Sequence, residues 1–112
     1  MSFQEEVGEW GNVQFPMATS SAICAHLKRE VAELDKAAYS LRVFSPNYQA
    51  QLLKQEVAME AADCYMLLLH LCFRNGIDLE TAAREKFEVN KARTWGKPDA
   101  EGVVEHVREG EK

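Results

Sequence analysis

A chain of 112 residues is one small domain with a modest core, and its net charge of −5 argues against a polyanion such as duplex nucleic acid as partner. A negatively charged small molecule stays compatible with that balance where metal ions mediate the contact. Cys24, Cys64 and Cys72 are odd in number and form no C-x-x-C pair, which excludes a zinc knuckle or disulfide framework and points to a reducing, cytoplasmic setting.

The lead-in, residues 1–18, carries Glu5, Glu6 and Glu9 where a signal peptide would need a basic flank and an apolar centre. Residues 3–10 are expected to form a short helical turn ending near Gly11, and Phe15-Pro16 closes the segment. Thr19, Ser20 and Ser21 offer hydroxyl caps for a first long helix. From there to about Ser40, Ile23, Leu27, Leu34, Ala37 and Leu41 recur at helical spacing. Ser45-Pro46 reads as a cap followed by proline at the first helical position. It would open a second long helix that Asn75-Gly76 stops. Its longest apolar stretch, residues 65–73, is interrupted by His70 and is too short to cross a bilayer. Asp78 is expected to cap a third helix running to about Thr94, ended by Gly96 and Pro98. The charged tail, residues 100–112, is expected to be irregular, with Val103, Val104 and Val107 able to dock a short turn. No strand is expected. The fold class is all-α, an antiparallel helical bundle. The second helix is apolar on nearly all sides between Cys64 and Phe73 and must be covered, so a homodimer or dimer of dimers is expected.

The informative feature is where the acids lie. Each helical residue advances by about 100°, so positions three, four and seven apart share a face. Glu56, Glu60 and Asp63 share a stripe whose extension meets Leu52, Leu53, Leu67 and Leu71. Glu30 shares one with Ile23, Leu27, Leu34 and Ala37, and Glu33 lies at its edge beside His26. Carboxylates in line with a core are costly unless a cation compensates. A Glu-x-x-Glu facing a Glu-x-x-Asp can supply the oxygen shell that magnesium takes, and manganese can substitute. The plain alternative is a set of solvated acids, with Glu56 near Lys54 and Glu33 paired to Lys36, in a non-catalytic helical interaction or regulatory module. A carboxylate-bridged iron or manganese redox protein would need Glu-x-x-His, which is absent.

On the third helix Lys86, Asn90 and Arg93 fall on one stripe, followed by Trp95-Gly96. Such cations suit phosphate oxygens, and Trp95 could stack on a base or plug a bundle end. Trp10, Asn12, Gln14, Phe15, His26 and Trp95 are the polar and aromatic residues available to read a base.

The run His26-Leu27-Lys28-Arg29-Glu30-Val31-Ala32-Glu33, then Glu60-Ala61-Ala62-Asp63, then Lys86 through Asn90 to Arg93-Thr94-Trp95-Gly96, resembles the MazG-like all-α NTP pyrophosphatases. It is most similar to the phage and bacterial dATP/dGTP diphosphohydrolase branch. The resemblance covers roughly residues 20–107, including His106-Val107. Arg29 stands where the wider family often has a further Glu, so the metal shell falls to Glu30, Glu33, Glu60 and Asp63, with Glu56 in support. The resemblance implies magnesium-dependent hydrolysis of a purine dNTP (dGTP, dATP) to its monophosphate and pyrophosphate. In that reading Glu33 or Glu56 serves as base, Lys86 and Arg93 hold phosphates, and Asn90, Trp95 and His26 complete the substrate contacts. The implied role is remodelling of the nucleotide pool of a phage or its host.

Overall fold

The computed structural model describes residues 1–44 and 49–108, and the expected cap and proline at Ser45-Pro46 lie outside them. The chain forms two compact units, Met1–Leu79 and Glu80–Lys112. The secondary structure is all-α: α1 is Phe3–Gln14, α2 Ser20–Phe44, α3 Ala50–Arg74 and α4 Leu79–Ala92. The strand-like feature among the described residues is an isolated antiparallel bridge between Trp95 and His106.

In the first unit α2 and α3 run antiparallel, because Asn75 at the end of α3 donates to the Ser20 hydroxyl at the start of α2, at 3.1 Å. Of the three hydroxyls available to cap α2, Thr19 does so, accepting from the Ala22 amide at 3.1 Å. α3 ends as its Asn-Gly pair requires: Gly76 adopts a left-handed φ of +68°, and the Ile77 amide returns to the Cys72 carbonyl at 2.9 Å. The side of α2 turned from solvent is Ile23, Leu27, Glu30, Leu34, Ala37 and Leu41. On α3 it includes Leu53, Val57, Glu60, Cys64, Leu67 and Leu71, a sequence of three- and four-residue steps. One acid, Glu30 or Glu60, therefore sits inside each apolar seam. Leu52, which the sequence pattern also put in line with the acids, is instead exposed.

α1 is a full helix of 12 residues. Ser2 caps it by accepting from the Glu5 amide at 3.1 Å. Two glycines bring it against α3: a methyl group on Gly8 would fall within the Phe73 ring, and one on Gly11 would lie 2.8 Å from His70 ring atoms. Polar clasps work at both of its ends. The Gln4 amide donates to the Ile77 carbonyl at 2.7 Å, and its oxygen accepts from the Leu79 amide at 3.0 Å. The Asn12 side-chain oxygen meets His70 Nε2 at 2.9 Å and accepts from Arg74 at 3.1 Å. Because that oxygen already accepts from a guanidinium, it calls for the N–H tautomer at His70 Nε2.

The second unit comprises α4 beyond Leu79 and the segment after it, which folds back on Trp95. Amides of Gly96 and Val107 bond across to Glu105 and Thr94 carbonyls at 2.9 and 2.7 Å. The reversal is built on Asp99, whose carboxylate accepts from the Glu101 and Val103 amides at 2.9 Å each, with Gly102 at φ +82°. Residues 99–107 thus form a turn, in the stretch where the sequence allowed an irregular tail or a short turn at Val103, Val104 and Val107.

Candidate active site

α2 and α3 present their seam acids to each other. Ligand oxygens of Glu30, Glu60 and Asp63 all lie within 4.8 Å of one another. Glu30 and Glu60 are half-buried and Asp63 is exposed. Partial burial of Glu60 raises its pKa, and Glu30, Asp63 and Glu33 raise it further through like charge.

One neighbouring base meets the triad and one is engaged outside it. His26 Nε2 sits 3.3 Å from Glu30, and Lys36 Nζ lies 3.4 Å from Glu33. Among the described residues no lysine or arginine pairs with Glu30, Glu60 or Asp63. Three oxygen donors in close array, short of a proton or a cation, are what a hard divalent ion takes. The donor set fits magnesium or manganese.

Glu33 and Glu56 stand outside this triad. Both are exposed and line a groove of about 790 Å³ together with Glu60, Lys36 and Met59. On the other side of the triad is a cavity of about 480 Å³ between α1, α2 and α3. Val7, Trp10, Phe15, Met66 and Leu67 supply its apolar lining, and Glu30 and Asp63 line it too. Trp10 and Phe15 meet edge to face at 5.5 Å. His70, 4% exposed, also lines the cavity, and burial and Arg74 lower its pKa, which favours the neutral ring. Burial and the three acids push the Cys64 thiol up, so it is a seam residue and a poor nucleophile.

Three of the residues proposed from sequence as base readers, Trp10, Phe15 and His26, line this cavity. Asn12 instead fixes His70, and Gln14 lies outside the lining. Glu6 and His70 escaped the sequence reading. His70 looked like an interruption of an apolar run, and Glu6 like one of several acids in a lead-in. The available signal was the Glu6–Trp10 spacing, which puts both on one face of a helix.

In the second unit Lys86 is exposed, and Asn90 accepts from Arg93 Nη1 through its side-chain oxygen at 3.3 Å. The Trp95 indole N–H donates to the Asn90 carbonyl at 2.9 Å, capping α4, and its ring meets the edge of His106 at 6.0 Å.

No described helix is long and apolar enough to cross a membrane. Residues 53–112 match the family model for dATP/dGTP pyrophosphohydrolase. That stretch includes Glu60, Asp63, Lys86, Asn90 and Arg93. Over 107 residues the chain is 32% identical to the dATP/dGTP diphosphohydrolase of Salmonella phage PMBT28, covering 96% of this chain and 31% of that protein. Over 104 residues it is 29% identical to the dATP/dGTP diphosphohydrolase of Cyanophage S-2L, covering 93% of this chain and 84% of that one. The chain thus spans about a third of one phage relative and most of the other. No solved structure gives a significant match. With more than half of its length matched by the family model, the chain belongs to the dATP/dGTP pyrophosphohydrolase family.

Proposed function

We propose that the protein hydrolyses purine deoxynucleoside triphosphates between the α- and β-phosphates, releasing a monophosphate and pyrophosphate. The observation that carries this reading is the carboxylate triad at the edge of an aromatic cavity. Glu30, Glu60 and Asp63 would hold magnesium, with manganese as a substitute, and Glu33 would join the shell on the strength of the family resemblance. When bound, a divalent ion would supply charge neutralisation for the triphosphate and polarise a water for attack on phosphorus, leaving its proton to a carboxylate of this chain. The acids then bind an anion because the ion reverses the local sign.

Around that ion the side chains divide the work. Trp10 and Phe15 offer faces to a base. Glu56 or Glu33 takes the proton from the attacking water. Glu56 is the freer of the two, since Lys36 engages Glu33. The family resemblance assigns Lys86 and Arg93 to the non-bridging oxygens, and within their own unit Asn90 accepts from Arg93 and orients its fork. With the base assigned to the cavity of Trp10, the role of Trp95 is to hold the end of α4, and His26 acts through Glu30. This division treats residues 1–112 as one functional domain.

We also infer a homodimer or dimer of dimers, because α3 leaves Leu52, Met59, Tyr65, Met66 and Leu68 at least 36% exposed. The three cysteines are free, as suits a cytoplasmic enzyme. The test is a product assay over the canonical dNTPs and NTPs with magnesium or manganese, separating pyrophosphate from orthophosphate. Pyrophosphate from dGTP and dATP is expected. Diphosphate plus orthophosphate would overturn α–β cleavage, and faster turnover of pyrimidine nucleotides would overturn the purine assignment.

A further inference from the structure

We infer that Glu6 selects guanine over adenine by accepting hydrogen bonds from the base edge; this rests on the reading that the α1 cavity takes the base. The polar side chains lining the cavity are Glu6, His26, Glu30, Asp63 and His70. Four of them are already engaged: His26 faces Glu30 at 3.3 Å, His70 faces Asn12 at 2.9 Å, and Glu30 and Asp63 belong to the triad. The Glu6 carboxylate has no hydrogen bond or ion pair among the described residues, the backbone amide alone bonding to the Ser2 carbonyl at 3.0 Å. It is one helical turn from Trp10, on the same face of α1, so a ring stacked on Trp10 has this carboxylate within the same cavity.

The chemistry of a lone carboxylate is one-sided, because when ionised it only accepts. Guanine presents two adjacent donors on its pairing edge, the N1–H and an N2 amino hydrogen. A carboxylate can take both in the paired geometry it uses with the guanidinium fork. Adenine presents an N1 lone pair at the same place, and its single amino group cannot supply two parallel donors. A carboxylate therefore attracts one purine and repels the other. The backbone that carries it is held, because α1 is seated by the Gly8 and Gly11 contacts and clasped through Gln4 and Asn12, while the exposed carboxylate is left to turn to a base. A site that hydrogen-bonds a base edge discriminates more strongly than a pocket selecting on shape alone.

Two measurements test this on the 112-residue chain and on its Glu6→Gln variant. The first is kcat/KM for dGTP and for dATP with magnesium. The second is the affinity for dGMP and dAMP by calorimetry, which needs no turnover. A glutamine both donates and accepts, so it suits the adenine edge. In the wild type, dGTP and dGMP should be preferred. In Glu6→Gln the guanine-to-adenine ratio should fall about tenfold or more in both measurements, with the dATP value rising. If the wild type releases pyrophosphate but the ratio is the same in both proteins, the Glu6 assignment is overturned and the proposed function stands. If no nucleotide is hydrolysed yet the dGMP preference depends on Glu6, the proposed function falls and the base contact stands. If neither turnover nor a Glu6-dependent preference is seen, both are overturned.

Discussion

Gly8→Ala has an outcome whose sign depends on whether α1 is docked. In an isolated or loosely attached helix, replacing an interior glycine by alanine stabilises by roughly 1 kcal/mol, because alanine loses less backbone entropy. Here the added methyl would fall within the Phe73 ring. Phe73 is half-buried on the last turn of α3, so it can yield only by leaving its place or by letting α1 lift. Overpacking of this kind costs about 1–3 kcal/mol, and displacing a ring forfeits a comparable amount of burial. After subtracting the helix-propensity gain, a net loss of about 1–2 kcal/mol is expected. For a domain of this size that is a fall in Tm of roughly 5–10 °C. Thermal unfolding followed by circular dichroism measures it. Val13→Ala is the control, because Val13 is on the same helix, 74% exposed, and should change Tm by little. Since α1 carries Glu6, Val7 and Trp10 into the cavity, KM for dGTP should rise in Gly8→Ala as well. A Gly8→Ala protein that melts higher than the wild type would refute the docked position of α1.

The acid triad makes its own predictions. Glu60→Ala and Asp63→Ala should abolish turnover with helical content retained, and should remove the rise in Tm that millimolar magnesium gives the wild type; near-normal activity in both variants would sink the assignment. The raised pKa of Glu60 means that the metal-free protein loses stability as pH climbs above the ordinary carboxylate range, and a titration of Tm with and without magnesium should show the loss suppressed by the ion. His70 has the opposite sense: its folded pKa is lowered, so stability falls as pH drops below the ordinary histidine value, and His70→Gln should flatten that limb of the curve. Lys86→Ala and Arg93→Ala should each lose activity about a hundredfold, the scale of removing one electrostatic donor, while magnesium still raises Tm. Trp95→Ala should lower Tm with KM unchanged, because its indole N–H caps α4; a raised KM at unchanged Tm would restore the stacking role.

Much of this was readable in the chain alone, where it depends on local rules. The spacing of Ile23, Leu27, Leu34 and Ala37 fixes a helix, Asn75-Gly76 ends one, and a carboxylate in line with core leucines marks Glu30 and Glu60 whatever surrounds them. What periodicity does not carry is the angle at which two helices meet. One stripe held Glu56, Glu60 and Asp63, but the packing of α3 on α2 turns Glu60 inward, brings Asp63 to it, and leaves Glu56 on the groove. For Glu33 the sequence left both a metal role and a pair with Lys36 open, and the structure has Lys36 beside it at 3.4 Å. α1 was the larger gap. In the sequence Gly11 looks like the end of a short helical turn, and only the tertiary structure shows Gly8 and Gly11 as the places where Phe73 and His70 come close. A glycine's local cost can be read from the chain, but the partner that compensates for it lies some 60 residues away. The cavity depends on that docking, so the sequence could mark the acids but not the cavity beside them.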